Sequence, residues 1–123
     1  KEKMKSYAVL AALGLSSVAA DDDKIKIDIY CESEWRGCRD MVTNSLAYAY
    51  KQDGFLDMTE INWVPYGMAK ESLVNDVWQF NCQFGIIECG FNLMESCGLN
   101  ILTDETMKFN FVNCIESNNE KGY

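Results

Sequence analysis

The sequence predicts an α/β domain: a strand-helix-strand unit over residues 21–75, followed by a cysteine-rich, mainly helical segment over residues 76–123 of the same domain. Three observations carry this reading. Apolar and polar residues alternate strictly from Ile25 to Tyr30, the period of a half-buried strand. Between Cys38 and Ala49 the apolar spacing turns helical. Beyond residue 76 come four of the six cysteines, Cys82, Cys89, Cys97 and Cys114. A chain of 123 residues supports one domain and a small core that benefits from cross-links.

Taken in order, Met4-Lys5, an apolar run over residues 7–15 and the small residues Ser17, Val18, Ala19 and Ala20 have the pattern of a secretory signal peptide, residues 1–20. The run is too short to span a bilayer, so no membrane association is expected after cleavage. Lys1, Glu2 and Lys3 precede the first methionine, which points to a start upstream of the true one or to a fragment. Ile25, Ile27 and Ile29 then give one strand face, and Cys31 continues its phase to the buried side. A polar connection over residues 32–37 leads to Cys38, Met41 or Val42, Ser45 or Leu46, and Ala49, which places Cys38 in the first turn of a helix ending near Gly54. Residues 61–66 form the second strand. A crossover of this length makes a right-handed parallel βαβ unit, the opening half of a thioredoxin-like domain. Residues 76–83 are short and aromatic, residues 89–97 read as a short helix capped by Gly98, and a further helix starts at Thr103 or Asp104. That last helix is expected to put Met107, Phe111, Cys114 and Ile115 on one face, ahead of a polar tail.

The composition, 48% apolar and 24% charged, is that of a globular protein. A net charge of -8 argues against nucleic acid and anionic membranes as partners. With no histidine in the chain, a histidine base, a catalytic triad and histidine metal ligation are excluded. Six cysteines in so short a chain point to an oxidising compartment, hence secretion. No cofactor motif is present: Gly85 and Gly98 fit turns or caps, not a phosphate loop. The gaps of the cysteine-rich segment are wrong for the closely paired ligands of a zinc site. Glu32 and Glu34 read as a solvated turn, and Trp35, Trp63 and Trp78 as core. Asn44-Ser45-Leu46 fails as a glycosylation sequon at its third position.

The run Cys82-Gln83-x-Gly85-x-x-Glu88-Cys89-x-x-Asn92, with Cys97 after it, resembles the signature of the gamma-interferon-inducible lysosomal thiol reductase family. Val64-Pro65-Tyr66-Gly67 and Ala69 resemble the family's preceding segment, and Val112-x-Cys114-x-Glu116 the following one. The resemblance implies a thioredoxin-like fold with an inserted helical segment, the endolysosomal route, and reduction of disulfide-containing proteins, the expected partners, at acid pH. It also implies a truncated or fragmentary member, because the family domain continues past the point where this chain stops. The sequence sets no oligomeric state.

Two departures bear on activity. Phe84 stands where the family has histidine, and Trp35 where it has the first cysteine of a Cys-x-x-Cys dithiol, leaving Cys38 as the family-matching cysteine. Exchange needs an attacking thiolate and a resolving thiol, and an indole is neither. If the protein is catalytic, Cys31 attacks and Cys38 resolves. The residues favour instead a structural Cys31–Cys38 bridge, which a short strand-to-helix connection allows within the Cα limit of about 7 Å. Cys89 and Cys97, roughly 12 Å apart if both are helical, are too distant to bond. Each is therefore expected to pair outside its helix, as Cys82–Cys97 with Cys89–Cys114 or in the crossed arrangement, for three bridges in all. The reading is a thiol reductase-like protein of impaired or absent activity; the alternative is a non-catalytic, disulfide-stapled interaction or structural domain.

Overall fold

A computed structural model describes residues 24–118, a mixed α/β arrangement with two small sheets and helices. The expected signal peptide lies outside the described residues, as does the end of the polar tail.

Strand β1 (Ile25–Cys31) pairs in parallel with β2 (Thr59–Pro65), Ile27 opposite Ile61 and Cys31 opposite Pro65. Between them runs one helical stretch: α1 (Arg36–Asp40), a π-helical turn (Met41–Leu46) and α2 (Ala47–Ala49). It stops short of Gly54, which takes a left-handed conformation ahead of the brief α3 (Phe55–Met58). Alternation places Ile29 and Cys31 inward, where they meet Cys38 and Ile61 in one buried cluster.

The next segment departs from the sequence reading. Residues 70–81 form a hairpin, β3 (Lys70–Val74) and β4 (Val77–Asn81), joined through Asn75 and Asp76, both at positive φ. Asn and Asp tolerate that conformation in two-residue hairpin turns. Every residue of the two strands is exposed, so no alternating burial marked them as strands, and Trp78, expected in the core, is 57% exposed.

Helix α4 (Ile86–Ile101) starts earlier and runs further than the expected residues 89–97. Gly98 is not its cap. It sits inside the helix where the Phe111 ring of α5 (Glu105–Asn118) leans in, and any side chain there would collide with that ring. Asp104 caps α5, its carboxylate accepting from the Met107 N–H at 2.8 Å. The buried stripe of α5 is Phe109, Val112 and Glu116, and Met107, expected on the inner face, is exposed. Phe109 and Val112 join Val42 in a second cluster. Met41, Leu46, Tyr50 and Trp63 pack against both clusters and make them one core. Tyr50 stacks on Phe109 at 4.1 Å. Burial, with Glu105 nearby, pushes the Tyr50 phenol up to about 12.

Candidate functional site

The site is the corner where β1 ends and α1 begins. The phase of β1 turns Cys31 inward, the first turn of α1 turns Cys38 toward it, and the two are bonded with Cα atoms 5.6 Å apart. Both are buried, at 6% and 2% exposure. Trp35 is the residue at the N-terminal cap of α1, with its ring 3.1 Å from where a side chain on Gly37 would begin. It is 52% exposed, not core. With Tyr30, Glu32, Gly67, Met68 and Gln83 it lines a cavity of about 350 Å³ beside the bridge.

The turn before α1 is closed by the Trp35 N–H on the Glu32 carbonyl at 3.1 Å and clamped from two sides. Glu32, expected in solvent, is 3% exposed, and its carboxylate accepts from the Met68 N–H. That seat requires Gly67, which has φ of +52° and no room for a methyl group against the Glu32 side chain. On the other side, the Ser33 N–H donates to Asn92 Oδ1 at 3.0 Å and the Ser33 hydroxyl to the Glu88 carbonyl at 3.4 Å. Gly67→Ala is expected to destabilise the chain by roughly 2–3 kcal/mol, through strain at positive φ and displacement of a buried carboxylate. Thermal melting of the oxidised chain measures this loss.

A second bridge joins Cys82 and Cys89, also with Cα atoms 5.6 Å apart. The expected third bridge does not form: Cys97 and Cys114 are exposed free thiols. The reason is rotational. Each lies on the outer side of its helix, opposite the stripes Glu88, Asn92, Glu95 and Phe109, Val112, Glu116 that face inward. Among the described residues no group of three or more acidic or cysteine side chains could hold a metal, and none of the helices there is long and apolar enough to cross a membrane.

Glu95, which no sequence motif marks, and Glu116, marked only by the family resemblance, meet between α4 and α5. Glu95 and Glu116 are each 2% exposed and lie close enough for their charges to interact, and one oxygen of each carboxyl is buried without a hydrogen-bond partner. Burial pushes Glu95 up to about 7. It pushes Glu116 up to about 9, with the Glu95 charge adding to the effect. Arg39 of α1 pulls Glu116 down and Glu34 pushes it up, so the pair sits within reach of the helix carrying Cys38.

The family model described as gamma interferon inducible lysosomal thiol reductase matches residues 26–123. A gamma-interferon-responsive lysosomal thiol protein of Arabidopsis thaliana is 30% identical over 100 residues, covering 81% of this chain and 41% of its own. The gamma-interferon-inducible lysosomal thiol reductase of Mus musculus is 33% identical over 92 residues, covering 75% of this chain and 36% of its own. GILT-like protein 2 of Drosophila melanogaster is 32% identical over 75 residues, covering 61% and 35%. The matched part of the chain therefore covers well under half the length of these relatives. Its match to the family model extends through β1, the bridged corner, the signature on α4 and the following helix, and the chain belongs to the gamma-interferon-inducible lysosomal thiol reductase family.

Proposed function

We propose that this chain is a thioredoxin-like member of the family, travelling the secretory route to an endolysosomal or extracellular destination, in which the reductase reaction on disulfide-containing proteins is disabled. The observation that carries the reading is the state of Cys38: it is bonded to Cys31 and the pair is buried, and by the resemblance to the family motif Trp35 stands where the attacking cysteine is expected. A buried sulfur bonded within its own corner is a cross-link, since exchange begins with a thiolate that a substrate disulfide can reach. The relatives' printed names supply the reaction class and the lysosomal destination.

Thiol titration of the purified oxidised chain tests this directly. Two thiols, Cys97 and Cys114, are expected to react without denaturant, and reduction of labelled insulin by the chain with a monothiol is expected to match the monothiol alone. Turnover above that background, abolished by Cys38→Ser, would overturn the reading.

A further inference from the structure

The two bridges are connected by a continuous polar chain whose inner links are buried. It starts in the Cys82–Cys89 loop, where the Phe84 N–H donates to Glu88 Oε2 at 2.6 Å. The other oxygen of that carboxylate, Glu88 Oε1, accepts from Asn92 Nδ2 at 3.2 Å. Asn92 Oδ1 accepts from the Ser33 N–H at 3.0 Å, and Ser33 lies two residues after Cys31. Glu88 and Ser33 are fully buried and Asn92 is 4% exposed. A buried carboxylate with each oxygen matched to one donor is costly to disturb, because losing either partner leaves a desolvated acceptor. The bridges also differ in access: Cys89 is partly exposed, whereas Cys31 and Cys38 are buried.

We propose that Glu88 and Asn92 are positioning residues that couple the two bridges, so that opening Cys82–Cys89 frees the turn at Ser33 and makes Cys31–Cys38 reducible. The reductant is a small monothiol of the glutathione class. For each bridge one thiolate attacks a sulfur to give a mixed disulfide and a protein thiolate. A second thiolate then releases the other cysteine and leaves as the oxidised dimer. Two electrons and two protons end on the two cysteines. With Cys82–Cys89 closed, Glu88 stays seated and holds Ser33 through Asn92, keeping Cys31 and Cys38 at bonding distance. With it open, the Phe84 donor is released, Glu88 loses one of its two bonds, and the effective concentration of the inner thiols falls. Coupling of this kind is reciprocal, so the inner bridge supports the outer one by the same factor.

The test is the equilibrium constant for closing each bridge in a glutathione buffer, read by alkylation and mass spectrometry. Replacing Cys82 and Cys89 by serine is expected to lower the constant of Cys31–Cys38 about tenfold, about 30 mV for a two-electron couple. Asn92→Ala is expected to lower it similarly, and the combined chain no further than either alone. The paired variant Glu88→Gln with Asn92→Asp restores every bond with one donor and acceptor exchanged, and is expected to recover most of the constant. Additive losses, an unchanged constant in Asn92→Ala, or no recovery in the paired variant would overturn the proposal. Should the serine chain fail to fold, Asn92→Ala decides alone: it must lower the Cys82–Cys89 constant by the same factor. The measurement uses no protein substrate, so turnover in the insulin assay defeats the disabled-reductase reading and leaves this one standing.

Discussion

Replacing Trp35 by cysteine in a chain that also carries Cys31→Ala is expected to raise the rate of insulin disulfide reduction at least about tenfold above the parent chain, a lowering of the barrier by about 1.4 kcal/mol or more. Position 35 is half exposed at the N-terminal end of a helical run that continues to Ala49, and it faces the cavity beside the bridge. A thiol there meets the positive end of the helix, which favours the thiolate, and Cys38 stands three residues on to resolve the mixed disulfide. Cys31 has to go because it is bonded to Cys38 and would withdraw the resolving thiol. Trp35→Ser with Cys31→Ala is the control, with no rise expected. If the cysteine variant folds and gains nothing, the proposal that Trp35 disables the reaction is overturned.

The second large effect is on stability against pH, through Glu95 and Glu116. Both carboxyls are raised from an ordinary 4.5, to about 7 and about 9, with burial as the first cause. Groups raised in the folded state contribute stability that is complete below the unfolded value and is lost as pH climbs through the folded ones. The oxidised chain is therefore expected to be most stable near pH 4.5 and to lose several kcal/mol by pH 9, a fall in Tm of at least roughly 10 °C. Arg39 moderates the loss by favouring the Glu116 charge, and Glu34 adds to it. Glu116→Gln, whose amide can donate to the remaining carboxylate, is expected to remove at least half of the slope between pH 5 and 9. Melting curves across that range decide the matter. A parent chain whose Tm is flat from pH 5 to 9 would show that the two glutamates do not meet in the folded protein.

What the sequence made legible follows from how each feature advertises itself. The alternation Ile27, Ile29, Cys31 exposed the inward phase of β1, and the helical spacing after Cys38 exposed the crossover, because one-sided burial imprints a period on the residues. The hairpin at residues 70–81 imprints none, since both its faces meet solvent, and its remaining signal is the Asn75-Asp76 turn. The full length of helix α4 is hidden in the sequence because Ile86 and Ile87 at its start are exposed, while its inward stripe is polar: Glu88, Asn92 and Glu95. A search for polar residues at i, i+4 and i+7 would have found that stripe, and with it the seat of Ser33 and half of the glutamate pair. The burial of Glu32 leaves no mark in the sequence, because its partner, the Met68 N–H, lies 36 positions away and belongs to the backbone.

The exposed hairpin gives the pH dependence a practical edge. Leu73, Val74, Val77, Trp78 and Phe80 are exposed on an acidic chain, whose mutual charge repulsion opposes association through them. That repulsion vanishes near the isoelectric point of about 4.4, the same acidity at which the neutral Glu95–Glu116 pair holds its helices most firmly. Firmest folding and poorest solubility thus coincide, and a concentrated sample keeps clear only by giving up some of the first to retain the second.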